Sequence, residues 1–122
     1  MKLWKFLAAA LIAVFAVGSL TACASASADP AAFSKIIDVR TPEEWATGHV
    51  EGAVRIGIAD SDFTSQIQAL DPSLDYFVYC RSGNRAGQAI DFMKNAGFTG
   101  NLVNGGAVAN AASMLGLSIV TD

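Results

Sequence analysis

Tyr76-Phe77-Val78-Tyr79-Cys80-Arg81-Ser82-Gly83-Asn84-Arg85 carries the reading of this chain. The first four residues are aromatic or β-branched, which predicts a buried strand. From Ala86 to Ala96 the spacing becomes helical, with Ala86, Ile90 and Met93 on one face. Cys80 therefore falls at a strand-to-helix turn. Free N–H groups of such a turn, and the positive end of the helix that follows, face the sulfur and favour its thiolate. Gly83 supplies the backbone freedom to curl around it, and Arg81 and Arg85 are permanently charged forks suited to an oxyanion. The stretch predicts a nucleophile inside an anion site. It suits a small dianion with an outer sulfur, such as thiosulfate, whose attack by a thiolate leaves a cysteine persulfide. No metal or organic cofactor is called for.

Upstream, Ile36 to Val39 predicts a first strand, and Thr41-Pro42-Glu43-Glu44 a helix start with Thr41 as N-cap, Pro42 in the first turn and Glu44 completing a capping box. That helix is expected to end near Gly48. Ala53 to Ile58 suggests a second strand, and Asp62 is expected to cap a helix to Leu70 that turns Phe63, Ile67 and Leu70 inward. Asp71-Pro72 breaks it. The helix after the cysteine loop ends at Gly97, Leu102-Val103 reads as a short strand, Asn104-Gly105-Gly106 as a turn, Ala107 to Leu115 as a last helix and Ser118 to Val120 as an edge strand. Alternation of this kind predicts an α/β fold: a small, mainly parallel β-sheet of about four to five strands with helices on both faces. Sites in such sheets lie at the carboxyl ends of strands, where Cys80 falls.

The cysteine loop, Asp38-Val39-Arg40-Thr41-Pro42-Glu43-Glu44-Trp45 and Gly48-His49-Val50-Glu51-Gly52-Ala53 together resemble the single-domain rhodanese sulfurtransferases, over about Ile36 to Gly106. The upstream motifs mark the fold; the cysteine loop alone speaks to activity. The resemblance implies Cys80 as nucleophile, with Arg81, Ser82, Gly83, Asn84 and Arg85 as the substrate-binding loop. Four residues separate Cys80 from Arg85. The related dual-specificity phosphatases and arsenate reductases have one more, so sulfur transfer is expected over phosphate hydrolysis. Asn104-Gly105-Gly106 resembles a family turn near the active site, but the tryptophan that often follows it is absent. Asp38 and Arg40 are expected to form a supporting ion pair, Trp45 to lie in the core, and His49 to serve a structural role. The chain starts its first strand late, which suggests an open sheet edge where many relatives have another strand.

Lys2 and Lys5 precede an uncharged run from Phe6 to Val17, the pattern of a secretory signal and too short for a membrane span. Leu20-Thr21-Ala22-Cys23 resembles the bacterial lipobox, which implies cleavage after residue 22 and lipidation of Cys23; the alternative is an ordinary signal peptide cut after a small residue. The expected organisation is a cleaved signal over 1–22, a lipid-anchored tether over 23–33 and a rhodanese-like domain over 34–122. The expected location is a cell or outer membrane, facing the periplasm or cell exterior. Ala24 to Ala32 is small and polar and reads as a flexible tether.

The chain has only two cysteines. With Cys23 lipidated, Cys80 has no partner for a disulfide, so sulfur on Cys80 must leave to an external acceptor: cyanide, a small thiol or a reduced protein. The expected function is a sulfurtransferase that moves sulfane sulfur from a thiosulfate-like anion to such an acceptor. The alternative is a non-catalytic persulfide carrier or protein-interaction module at the membrane surface. Removing 22 of the 122 residues leaves one domain's length and no more. It also moves the formal charge from -3 to -5, because Lys2 and Lys5 are lost. With no basic patch, no nucleic-acid partner is expected. An acidic surface repels anions at long range, so Arg81 and Arg85 are expected to supply a local positive well.

Overall fold

The computed structural model describes residues 27–122. The signal segment and Cys23 lie outside the described residues. Among the described residues, six strands and four α-helices follow one another: β1 (Lys35–Asp38), α1 (Pro42–Thr47), β2 (His49–Val50), β3 (Val54–Arg55), α2 (Phe63–Gln68), β4 (Tyr76–Cys80), α3 (Asn84–Asn95), β5 (Leu102–Ala107), α4 (Val108–Leu115) and β6 (Ile119–Val120). Four strands form one wholly parallel sheet in the order β3-β1-β4-β5. The chain leaves β1 for one edge and returns to β4 beside it. The crevice beyond the ends of β1 and β4 is therefore the switch point at which open α/β sheets bind ligands.

All five residues of β4 are buried, because both faces of the strand are covered. Tyr76, Val78 and Cys80 join Ile37, Ile67, Ala86 and Met93 in one core beneath α2 and α3. Phe77 and Tyr79 point the opposite way, toward Ala111, Ala112 and Leu115 of α4. Period-two alternation thus places Cys80 on the α3 side of the sheet. The expected helical face of α3 is present, with Ala86, Ile90 and Met93 buried.

The capping box at α1 forms as its sequence dictates: Thr41 Oγ1 accepts from the Glu44 N–H at 3.2 Å, and Glu44 Oε1 accepts from the Thr41 N–H at 3.1 Å. Asp62 stands at the N-cap of α2 but makes no side-chain cap bond, and the helix stops at Gln68 with Leu70 packed just beyond it.

Several expectations are corrected. Asn104-Gly105-Gly106 is not a turn: it lies within β5, where Asn104 pairs with Val78 and Ala107 with Cys80, and the two glycines occupy the register shift between those pairs. Gly105 is required there, because a Cβ would stand 2.3 Å from the Phe77 ring. His49 lies in β2, which pairs antiparallel with β6 to make a separate two-stranded sheet. The second strand of the main sheet is only Val54–Arg55. Trp45 is half-buried rather than core, and its ring stacks on His49 with centroids 3.5 Å apart. Residues 27–33 do not hang free. Asp29 caps a 3-10 turn at Pro30–Ala32, Phe33 packs edge-on against Phe77 at 5.4 Å, and the N–H groups of Ser27 and Ala28 both donate to the Met114 carbonyl. A capping Asp-Pro pair and an aromatic anchor outweigh the small, polar composition.

Candidate active site

Cys80 ends β4, and Gly83 begins α3 as its N-cap, with φ +97°. That left-handed conformation favours glycine. It turns the Gly83 N–H back onto Cys80 Sγ at 2.9 Å. Burial of the thiol pushes its pKa up, but hydrogen bonds from the Ala86, Ser82, Gly83 and Arg85 N–H groups outweigh this, and the net shift is downward. Cys80 is fully buried and is a free thiol. Ser82 and Asn84 are exposed, and the Asn84 N–H is turned to Ser82 Oγ at 3.4 Å rather than to the sulfur.

Gly83 is also braced from β5. Asn104 Nδ2 donates to the Gly83 carbonyl at 3.0 Å, and Asn104 Oδ1 accepts from the Gly106 N–H at 2.9 Å. A Cβ on Gly83 would come within 3.3 Å of the Gly106 Cα. The expected neighbourhood of residues 104–106 and the cysteine loop is present, and its agent is the Asn104 amide, a role the sequence did not disclose.

Two free arginine forks were expected, and the structure leaves one. Arg85 grips Glu44 at two points, Nη1 to Oε1 at 2.8 Å and Nη2 to Oε2 at 3.0 Å. This bond is the main reason the Glu44 pKa falls to about 2. Arg85 thus contributes its remaining N–H groups to the site but little net charge. Glu44 was legible as a helix cap and not as this partner. Arg81 is exposed and has no ion-pair partner among the described residues. The positive well therefore rests on Arg81 and the loop amides.

Asp38 and Arg40, at the end of β1, form the expected pair. Arg40 Nε and Nη2 meet the Asp38 carboxylate at 2.9 to 3.1 Å, both side chains are buried, and Nη2 also donates to the Gly48 carbonyl at 2.6 Å. This ties the end of β1 to the end of α1. His49 Nδ1 lies 3.0 Å from the Trp45 carbonyl, which can only accept, so that nitrogen carries the hydrogen. A shallow cleft opens between α1 and the start of the loop, lined by Arg40, Glu43, Glu44, Thr47 and Arg81.

With this geometry the comparisons with known proteins agree. The family model of the rhodanese-like domain matches residues 21–112. The chain belongs to the rhodanese-like domain family. It is 32% identical over 76 residues to the thiosulfate sulfurtransferase PspE of Escherichia coli, covering 62% of this chain and 72% of that one. To the putative sulfurtransferase YtwF of Bacillus subtilis it is 35% identical over 74 residues, 61% of this chain and 70% of that one. Among solved structures it is similar to a rhodanese with anions from E. coli, with a TM-score of 0.59 and 27% identity, covering 72% of this chain and 98% of that chain. Family and relatives support a sulfurtransferase role for this rhodanese-like domain.

Proposed function

We propose that the protein is a rhodanese-type sulfurtransferase in which Cys80 carries the transferred sulfur. The Cys80 thiolate attacks the outer sulfur of a thiosulfate-like anion. The donor's S–S bond breaks, and sulfite leaves with the electron pair. The persulfide left on Cys80 is itself an anion, which the Ser82, Gly83, Arg85 and Ala86 N–H groups are placed to hold. Arg81 meets the donor's oxyanion end. A thiolate acceptor, or cyanide, then attacks the outer sulfur and returns Cys80 to its thiolate. The observation that carries this reading is the 2.9 Å bond from the Gly83 N–H to Cys80 Sγ at the head of α3. Mass spectrometry after thiosulfate treatment tests it: a gain of one sulfur atom is expected, lost in Cys80→Ala. No gain in the native protein overturns it.

The second reading, a persulfide carrier or interaction module that serves a partner, is favoured by the full burial of Cys80 and by the diversion of Arg85 to Glu44. Under it the persulfide forms and persists, turnover with cyanide is slow, and handover to a partner protein is fast.

We also propose, from the sequence between Lys2 and Cys23, that the mature protein is anchored through a lipidated Cys23 and faces away from the cytosol. Metabolic labelling with a fatty acid, lost in Cys23→Ala, is the expected result.

A further inference from the structure

The cleft between α1 and the cysteine loop has a definite charge pattern. Four of its five lining side chains are charged: Arg40, Glu43, Glu44 and Arg81. Two of these are already neutralised within the protein, Arg40 by Asp38 at 2.9 Å and Glu44 by Arg85 at 2.8 Å. The fifth lining residue, Thr47, spends its hydroxyl on the Glu44 carbonyl at 2.6 Å. What remains for a ligand is one exposed cation, Arg81, and one exposed anion, Glu43, neither with an ion-pair partner among the described residues.

Arg81 offers a partner to a carboxylate and Glu43 to an ammonium, so an acceptor with a single charge uses only half of this wall. The wall complements a molecule with one charge of each sign. Both walls of the cleft are tied to the cysteine loop: Arg81 directly follows Cys80 in the chain, and Glu44 holds Arg85, the last arginine of the loop.

We propose that this cleft is the acceptor subsite, and that the acceptor is a small zwitterionic thiol whose carboxylate meets Arg81 and whose ammonium meets Glu43. The inference rests on the sulfurtransferase reading above. The acceptor thiol first loses its proton to solvent. Its thiolate attacks the outer sulfur of the Cys80 persulfide, the Cys80 S–S bond breaks with its electron pair returning to Cys80 Sγ, and the acceptor departs as a persulfide.

The test is discharge of the preformed Cys80 persulfide in single-turnover quench-flow with mass readout, which removes donor binding from the measurement. Four thiol probes are compared at equal thiolate concentration: cysteine, cysteamine, 3-mercaptopropionate and 2-mercaptoethanol. Cysteine is expected to be fastest. Glu43→Gln should slow cysteine and cysteamine by about 3- to 10-fold while sparing 3-mercaptopropionate, and Arg81→Gln should slow cysteine and 3-mercaptopropionate by a similar factor while sparing cysteamine. If the persulfide forms but the four probes react in order of nucleophilicity alone, or both variants leave their ranking unchanged, the inference is overturned and the sulfurtransferase reading stands. If no persulfide forms from thiosulfate in the native protein, both fall together.

Discussion

The carboxylate of Glu44 and the guanidinium of Arg85 make a two-point bridge of 2.8 and 3.0 Å across 41 residues of sequence. The same carboxylate closes the capping box of α1, so one side chain joins the start of that helix to the end of the cysteine loop.

Glu44→Gln is therefore expected to cost about 1–2 kcal/mol at pH 7, a value reduced for the solvent that reaches this rim pair. The folded-state pKa is depressed from 4.5 to about 2. The stability it contributes is present above the unfolded value and is lost as pH falls from about 4.5 toward 2. Urea unfolding of both proteins across that range is expected to show their difference shrinking with acid. A constant difference would contradict the bridge.

The Cys80 thiol is shifted down from its ordinary value of 9.0, which predicts a thiolate that persists below that value. The pH profile of persulfide formation under limiting thiosulfate should rise at a pH below that value. A midpoint at or above it would show that burial, not the loop amides, controls the sulfur.

Gly83→Ala places a side chain where φ is +97° and the Gly106 Cα is 3.3 Å away. A loss of about 1–2 kcal/mol is expected. Because the Gly83 N–H to Cys80 Sγ bond moves with the backbone, persulfide formation should fall about tenfold or more. Asn104→Ala removes the brace on Gly83 from an exposed side chain. It should slow the same step several-fold while changing stability by less than about 1 kcal/mol. Stopped-flow rates alongside thermal unfolding separate the two.

Gly105→Ala drives a methyl group toward the Phe77 ring, which already packs edge-on with Phe33. Overpacking of this kind costs about 1–3 kcal/mol. A lowered Tm is expected, and an unchanged one would mean that β5 can shift away from β4.

Local chemistry made much of this legible. Thr41, Pro42 and Glu44 cap their own helix, the 76–80 run is apolar throughout, and Gly83 sits where a chain must reverse around a sulfur. Contacts decided by the distant chain were not. No local pattern says that Glu44 meets Arg85 or that Asn104 reaches Gly83. Two glycines in a row suggest a turn, yet Gly105 and Gly106 lie within β5, at the register shift between Asn104 and Ala107, which pair with β4, and Phe77 leaves no room for a side chain at Gly105. His49–Val50 is a strand only because Ile119–Val120 lies against it.

The hydrogen bonds from Ser27 and Ala28 to Met114 fix where the chain enters the domain. Met114 lies near the end of α4, which starts beside Cys80 and runs away from it for about 12 Å. Ser34 likewise joins the start of β4 at Asp75, the far end of the strand from Cys80. Cys23 is four residues before Ser27, a reach of about 14 Å at full extension. A lipid at Cys23 would then moor the domain by its base, with the mouth of the sulfur site turned outward, so that acceptors would reach it from the water and not from within the bilayer.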